Sequence, residues 1–350
     1  MAISVKAFGT LPDGRTADLY TLTNAGGASV SITNYGGILV SIVVPDRDGK
    51  PGDVLLGCKT VTDYLPNDGY LGALIGRIGN RVNRGHCVLN GREIQLNCNS
   101  GAHHLHGGNS GFNEKLWEAE ALDAENALKL RCFSPDGEEN YPGNLSVTVT
   151  YSWNDQNELG IHYQAVSDQD TMVNLTNHAY FNIDGEGAGV IDDQIITIRA
   201  DAFTPTDETL IPTGEIRDVS GTVFDLRKPT RLGDGLAKTQ QDDQLRAGGG
   251  YDQNFCLNGE GYREVASVYS PATGRVLTVL TDQPGIQLYT GNSLGGNMPG
   301  KCGHCYGKRE ALCLETQTYP DAINHANFPG CVLRAGETYD HLTTYRFSVQ

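Results

Sequence analysis

Alternation of apolar and polar residues is the dominant pattern along the chain. Across 145–153, apolar residues alternate with Ser and Thr, and the same period of two recurs at 159–165 and 344–349. Successive side chains of a strand point to opposite faces, so each segment is predicted to be a half-buried β-strand. Denser apolar runs at 38–44 and 274–282 predict strands that are covered on both faces.

Helical periodicity is scarce. The segment 71–82 has apolar residues at helical spacing, but its glycines at 72, 76 and 79 each cost about 1 kcal/mol relative to Ala in a helix. We therefore expect an irregular or strand-like segment there, and one short polar helix or turn at 232–246. No linker, repeat or heptad interrupts the chain, so the pattern predicts one all-β domain over 1–350, built from packed sheets.

Composition and charge narrow the class of protein. The 350 residues include 44 glycines without a short repeat, which is typical of many tight turns and bulges. The formal net charge of −16, with no basic patch, argues against a nucleic-acid partner. No apolar run has the length of a membrane helix, and the start lacks a secretory pattern. We expect a cytoplasmic protein whose nine scattered cysteines are reduced.

The segment Cys302-Gly303-His304-Cys305 leaves three interpretations open. A redox site would need the first cysteine at the start of a helix, which lowers the pKa of its thiol. A zinc site would need a second pair of ligands at a suitable spacing. The flanking residues suggest a loop followed by a strand, so an ordinary loop is the favoured interpretation.

Polar residues in three segments are candidates for a ligand site. His106 precedes Gly107 and Gly108, whose small size lets a ligand approach the backbone. His178 lies in NLTNHAYFNIDG, where amides and a histidine alternate with aromatic rings. Glu315 lies inside an apolar strand-like run, where an acid is costly to bury without a task. By alternation, Glu315 shares one strand face with Cys313 and Gln317.

Further candidates surround these residues in the sequence. Asp252 follows a run of glycines, and Gln287 and Tyr289 share one face of a predicted strand. Arg77 and Arg81, the latter beside Asn80, suit either structural ion pairs or hydrogen bonds to hydroxyl groups. Amides, carboxylates and aromatic rings together are typical of a pocket for a small polyhydroxyl ligand. Acid–base chemistry is compatible with this set, but the residues alone do not name a reaction.

The successive motifs resemble those of one known family. They are GRIGNRVNRG, LHGGNSGFNEKLW, SPDGEENYPGNLSVTVTY, VNLTNHAYFNIDG, FTPTDETLIPTGEI, GGGYDQNF, TDQPGIQLYTGN and CLETQTYPDAIN. From about residue 20 to the C-terminus, their order is similar to that of the galactose mutarotase (aldose 1-epimerase) family. The resemblance implies a large antiparallel β-sandwich, often called a supersandwich, with the sugar in an open cleft. It also implies interconversion of the α and β anomers of free hexoses, typically galactose and glucose, without a metal or a cofactor.

The resemblance also implies roles for individual residues. Glu315 matches the catalytic base of the family, and His178 matches the acid. The matched sugar contacts, with Tyr289 added from the strand pattern, are His106, Arg81, Asn80, Asp252, Gln287 and Tyr289. The chain departs from the family at His103, where Asn is frequent, and at Gln253, where His is usual. Both departures bear on sugar preference more than on the reaction.

Ordinary pKa values predict how the pair is charged. The values of about 4.3 for Glu and about 6.5 for His would give a carboxylate beside an imidazolium near pH 5–6.5. A nearby carboxylate would raise the pKa of the histidine and extend that interval toward neutrality.

Three alternatives remain beside a mutarotase of free hexoses. They are a non-catalytic sugar-binding or regulatory protein of the same fold, a mutarotase of phosphorylated hexoses, and a redox or zinc protein built on Cys302 and Cys305. The expected partner is a small aldohexose, with neither nucleic acid nor membrane, and the expected oligomeric state is monomer or homodimer.

Overall fold

The computed structural model describes residues 3–296 and 298–350, and β-strands dominate it. The first part of the chain contributes β1 (Ser4–Thr10), β2 (Thr16–Thr23), β3 (Ser29–Thr33), β4 (Leu39–Pro45), β5 (Pro51–Asp53), β6 (Leu74–Ile75), β7 (Arg81–Val82), β8 (His86–Leu89), β9 (Arg92–Gln95), β10 (His104–Leu105), β11 (Glu118–Leu122), β12 (Ala127–Ser134), β13 (Leu145–Trp153), β14 (Glu158–Ser167), β15 (Thr171–Met172) and β16 (Thr176–Asn177). The remainder contributes β17 (Ile195–Ile198), β18 (Ala200–Thr204), β19 (Arg217–Asp218), β20 (Thr230–Arg231), β21 (Asp252–Leu257), β22 (Arg263–Tyr269), β23 (Arg275–Thr281), β24 (Gly285–Tyr289), β25 (Cys313–Gln317), β26 (Val332–Leu333) and β27 (Thr338–Val349).

Helix is confined to short pieces. The α-helices are α1 (Leu232–Leu236) and α2 (Asp243–Gly248), and single 3₁₀ turns lie at Val61–Tyr64, Asn83–Gly85, Phe112–Glu114, Glu138–Asn140 and Ala322–Asn324. The expectation of one helix or turn at 232–246 is wrong in its number, because two helices form there. Asp242 starts the second helix by accepting hydrogen bonds from the backbone N–H groups of Gln244 and Leu245. Among the described residues, no helix has the length and apolar character needed to cross a membrane.

The strands form antiparallel sheets, and the alternation pattern located their longest members correctly. The largest sheet has nine strands in the order β11-β12-β13-β14-β27-β23-β22-β17-β20. Two five-stranded sheets have the orders β1-β2-β3-β4-β5 and β19-β18-β21-β24-β25. Short two-stranded ladders pair β10 with β7, β15 with β26, β16 with β6 and β8 with β9. The segment 71–82, predicted to be irregular or strand-like, contains only the short strands β6 and β7.

The main hydrophobic core joins the nine-stranded sheet to both five-stranded sheets. Its buried members include Val149 from β13, Ile32 from β3, Phe255 from β21 and Leu314 from β25. Packing of apolar faces from stacked sheets is the arrangement of a β-sandwich. The all-β sandwich predicted from the sequence is therefore confirmed.

Two hydrogen bonds attach β25 to the strand below it. The hydroxyl of Tyr345 donates to the carbonyl of Leu314 at 2.7 Å, and the hydroxyls of Thr316 and Thr343 lie 2.5 Å apart. Both partners in each bond are buried. Leu314 and Thr316 therefore face β27, and Glu315 between them is directed to the opposite side of the sheet.

Arg77 is a structural residue. It is 2% exposed, and its guanidinium donates to the carbonyls of Ser134, Pro135 and Pro142 and to the hydroxyls of Ser134 and Thr171, at 2.8–3.4 Å. The planar fork of donors connects three separate backbone segments. Of the two interpretations of this arginine, the structural one applies, although through hydrogen bonds rather than an ion pair.

We expect Arg77→Lys to lower the free energy of unfolding by about 2–4 kcal/mol, because a lysine cannot supply all the buried acceptors with donors. Urea denaturation followed by circular dichroism measures this change. The control is Arg15→Ala, which removes only an exposed ion pair with Asp13 and should leave the free energy of unfolding almost unchanged. Equal losses in both variants would contradict the role given to Arg77.

Candidate active site

A cleft of about 240 Å³ opens beside β25. Its lining includes seven of the predicted site residues, which are Asn80, Arg81, His106, His178, Asp252, Tyr289 and Glu315. These residues come from six separate stretches of the chain. A volume below the usual range for drug-sized ligands suits a small molecule.

Strand register places the acidic and amide groups of the cleft side by side. In the antiparallel ladder, Gln287 pairs with Asn254 on one side and with Glu315 on the other. The next residue row on the same face pairs Tyr289 with Asp252 and Cys313. Side chains of directly paired residues share a face, so the ladder aligns these groups in two adjacent rows.

His178 follows β16 and is held by its backbone on both sides. Its N–H donates to the carbonyl of Ala73, and its carbonyl accepts from the N–H of Gly72, each at 2.9 Å. The imidazole is enclosed by rings. Tyr180 stacks on it at 5.0 Å between centroids, and His106 meets it edge-on at 5.2 Å. These contacts limit the ring to one orientation.

His178 and Glu315 form a buried pair. Nε2 of His178 lies 3.6 Å from Oε1 of Glu315, and the side chains are 7% and 2% exposed. The second carboxyl oxygen of Glu315, Oε2, is buried and has no hydrogen-bond partner among the described residues. A buried polar atom without a partner is costly, so this oxygen is suited to accept a hydrogen bond from a ligand.

Burial changes the expected charges of the pair. It raises the pKa of Glu315 well above its ordinary value, with a further rise from Asp252 and an opposing effect of Arg81. Burial also lowers the pKa of His178 to about 4. The expectation of a carboxylate and an imidazolium near pH 5–6.5 is therefore wrong. Desolvation disfavours both charged forms, and it outweighs their mutual attraction.

The backbone fixes the tautomer of His106. The N–H of Asn80 donates to Nδ1 of His106 at 3.1 Å. Burial lowers the pKa of His106 well below its ordinary value, so the ring is neutral. With Nδ1 acting as the acceptor, the proton lies on Nε2. His106 therefore lines the cleft as a hydrogen-bond donor.

Gly107, which follows His106, packs against the backbone of Gly76 rather than lining the cleft. Its φ is +94°, and a Cβ atom there would lie 1.9 Å from the carbonyl oxygen of Gly76. A Cβ on Gly108 would collide with the carboxyl group of Glu139 at 2.2 Å. The expectation that these glycines admit a ligand is wrong, because they admit other parts of the protein.

Gln287 lies behind the cleft. Its amide donates to Asp252 Oδ1 at 2.7 Å, and its carbonyl oxygen accepts from Gln317 at 3.3 Å. Asp252 lines the cleft, and burial raises the pKa of its carboxyl, with opposing effects of Arg81 and Gln287. Gln287 thus orients Asp252 in this structure, whereas a direct contact with the ligand was expected from the sequence.

The sequence analysis missed Tyr70 as a cleft residue. Its ring lies 4.6 Å from that of His106 and 6.1 Å from that of His178, and its hydroxyl accepts from Asn99 at 3.3 Å. The position follows Gly69 in a loop without alternation, so no strand pattern marked it. Other lining residues that were missed are Asp68, Gly69, Leu105, Tyr180, Leu210, Gly248, Asn292 and Ser293.

The segment 302–305 is an exposed turn away from the cleft. Cys302 and Cys305 are both exposed and unpaired, and Nε2 of His304 lies 2.8 Å from a carboxyl oxygen of Glu310. Among the described residues, these side chains form no group of three with metal-binding geometry. The loop interpretation of this segment is favoured over redox or zinc chemistry.

His106, His178 and Glu315 are the group that most resembles a metal site. Their potential ligand atoms lie within 4.8 Å of one another, and two His with one Glu is a known zinc set. The hydrogen bond from Asn80 occupies the Nδ1 lone pair of His106, and Nε2 carries a proton. Neither nitrogen therefore offers a free lone pair, and the residues do not fit a metal.

We expect activity to be unchanged after dialysis against EDTA, because the tautomer of His106 leaves no complete set of metal ligands. The rate is measured before and after dialysis, and again after addition of Zn²⁺. Loss of activity that Zn²⁺ restores would show that the site holds a metal and that the tautomer assignment is wrong.

Comparison with known proteins places this fold and cleft in one class. The structure of galactose 1-epimerase from Lactobacillus acidophilus superimposes with a TM-score of 0.87, at 29% identity, over 99% of this chain and 98% of that one. The fold and site therefore define a sandwich of the galactose mutarotase type.

Sequence similarity identifies the family. The aldose 1-epimerase family matches residues 18–346. Galactose mutarotase of Bos taurus is 45% identical over 351 residues, covering 100% of this chain and 99% of the relative. Aldose 1-epimerase of Escherichia coli is 37% identical over 340 residues, covering 96% of each chain. The chain belongs to the aldose 1-epimerase family, and it is an isomerase with mutarotase activity.

Proposed function

We propose that the chain interconverts the α and β anomers of free aldohexoses such as galactose and glucose, with Glu315 and His178 as the proton-transfer pair. The observation that carries this proposal is the buried pair at 3.6 Å with the unpartnered Glu315 Oε2 beside it. Mutarotation needs one group that accepts a proton from O1 and one that donates a proton to O5. Two groups of opposite function, fixed side by side in a small cleft, meet that need.

The reaction balances with one proton taken and one given. The pair holds one proton, and the reaction starts when that proton lies on His178. The Glu315 carboxylate then takes the proton of the C1 hydroxyl while the His178 imidazolium protonates the ring oxygen O5. The C1–O5 bond breaks, C1 becomes an aldehyde, and the sugar now carries a hydroxyl at C5. Rotation about C1–C2 presents the other face of the aldehyde. In the reverse steps, His178 recovers its proton from the C5 hydroxyl and Glu315 returns one to O1.

The remaining cleft residues would hold the sugar. His106 supplies the Nε2–H donor, Arg81 supplies a guanidinium, and Asp252 supplies a carboxyl group as acceptor. The hydroxyl of Tyr289 bonds with Ser293 at 2.6 Å, which leaves its ring facing the cleft beside His178. Such a mixture of amphipathic rings and directed polar groups is typical of sugar sites. Asn80 contributes through the backbone bond that orients His106.

The alternative of a phosphorylated hexose has less support. Among the residues that line the cleft, Arg81 is the single lysine or arginine, whereas Asp68, Asp252 and Glu315 are acids. A phosphate dianion is usually bound by several positive groups or backbone N–H groups. The alternative of a non-catalytic sugar-binding protein does not apply to a chain with mutarotase activity, and such a protein would not require the buried acid–base pair.

We also place the protein in the cytoplasm, as one domain over 1–350. All nine cysteines are unpaired, which supports a reducing compartment. The main hydrophobic core, which is shared by the three large sheets, supports one domain. Monomer and homodimer both remain compatible with this proposal.

We expect Glu315→Gln and His178→Asn each to lower kcat by about 10²–10⁴-fold, because each removes one proton-transfer group. Polarimetry on freshly dissolved α-D-galactose and α-D-glucose measures the rate. The matched control is Glu310→Gln, which breaks the other His–Glu pair outside the cleft and should leave kcat unchanged. A Glu315→Gln variant with the wild-type rate would exclude Glu315 as the base.

The pH dependence follows from the number of protons on the pair. Turnover requires one proton on Glu315 and His178 together, whichever atom carries it at rest. Below about pH 4, the pair binds a second proton, which lies on His178, and neither group can act as the base. Above the raised pKa of Glu315, the last proton leaves and no acid remains.

We therefore expect kcat/KM to be bell-shaped, with an acid limb near pH 4 and an alkaline limb well above the ordinary carboxyl range. Initial rates between pH 3 and pH 10, corrected for the spontaneous reaction, measure both limbs. A maximum confined to pH 5–6.5 would instead indicate that the two groups keep ordinary pKa values.

A further inference from the structure

A thiol contacts the proton donor from the side opposite Glu315. Sγ of Cys313 lies 3.4 Å from Nδ1 of His178, and both side chains are buried. Cys313 does not line the cleft. It is two residues before Glu315 on β25, so one strand face carries both neighbours of the imidazole. Within the described parts of the chain, the thiol is the side chain that hydrogen-bonds Nδ1.

The thiol stays neutral in this position. Burial raises the pKa of Cys313 well above its ordinary value, and the carboxyl groups of Glu315 and Asp252 raise it further. A neutral thiol is both a weak donor and a weak acceptor. When His178 is an imidazolium, both ring nitrogens are donors, so the sulfur has to accept the proton on Nδ1.

On the basis of the proposed function, we propose that Cys313 is a positioning residue that orients His178 and keeps its imidazolium a strong acid toward the ring oxygen. A carboxylate behind a histidine stabilises the imidazolium and makes the ring a better base. A neutral sulfur supplies the directional contact without that stabilisation. The ring then holds its proton weakly, which suits donation to O5.

The other charged or titratable groups around His178 do not replace this contact. They are Glu315, Arg81, His106, Tyr70, Tyr180 and Tyr289. Burial raises the pKa of the three tyrosines and lowers that of His106, so these four stay neutral at working pH. The guanidinium of Arg81 lowers the pKa of His178 and so opposes the imidazolium. Glu315 faces Nε2, and the thiol is the side chain that meets Nδ1. A hydrogen bond between the ring and the backbone of His178 itself raises the pKa of the ring and partly offsets burial.

We expect Cys313→Ala to lower kcat about tenfold with KM changed by about twofold or less, because a buried N–H loses its acceptor while the cleft wall is unaltered. The matched control is Cys58→Ala, since Cys58 is equally buried, belongs to the same hydrophobic cluster and should leave both constants unchanged. Equal kinetic constants for the two variants would overturn the proposal.

Cys313→Ser separates positioning from packing. A hydroxyl is a better acceptor than a thiol, so it should stabilise the imidazolium and move the acid limb of kcat/KM upward by about half a pH unit. The variant should recover most of the kcat that Cys313→Ala loses. An acid limb at the wild-type pH would contradict the effect on acidity.

A measurement on the wild-type protein needs neither a variant nor turnover. Long-range ¹H–¹⁵N spectra of histidine-labelled protein at pH 7 should show His178 as the Nδ1–H tautomer, donating to sulfur. The Nε2–H tautomer would make the thiol a donor and overturn the proposal. This result is independent of the Glu315→Gln rate, so failure of the proposed function and failure of the role given to Cys313 can be told apart.

Discussion

Desolvation of one carboxyl group determines how the rest of the site is built. Glu315 lies in a strand that is buried on both faces, with its carboxyl opposite His178 and one oxygen unpartnered. Two full charges there would lose more hydration than they gain from attraction, so the pair rests with one shared proton. The groups around Glu315 act on the same balance between its charged and neutral forms. Arg81 lowers the pKa of Glu315 and so partly offsets the effect of burial, whereas Asp252 raises that pKa further. The aromatic rings around the pair exclude water.

The strand pattern and the positions of the site residues could be predicted from the sequence. Strict alternation over 145–153 reflects a sheet with one face on the core, and β13 spans that same segment. Alternation also placed Cys313, Glu315 and Gln317 on one face, as their contacts require. These features are local, because the side-chain period of a strand depends only on the backbone.

The features that the sequence could not provide all depend on distant segments. The pKa directions of Glu315 and His178 arise from burial by other strands, which a list of ordinary values omits. Tyr70 reaches the cleft from a loop without periodicity, and Gln287 is separated from the cleft by Asp252. The tautomer of His106 follows from one backbone N–H that is 26 residues away. The family resemblance supplied residue identities but not these physical states.

The bonds between β25 and β27 give the site a mechanical property. Leu314 and Thr316, on either side of Glu315, are attached through Tyr345 and Thr343 to a central strand of the largest sheet. The strand that carries Glu315 is therefore part of the core rather than a loop laid over it. Local opening that displaced Glu315 would require separation of two sheets and would approach the cost of global unfolding. In the proposed reaction, proton transfer thus takes place on a rigid strand, and the motion needed for turnover is left to the sugar and to the loops around the cleft.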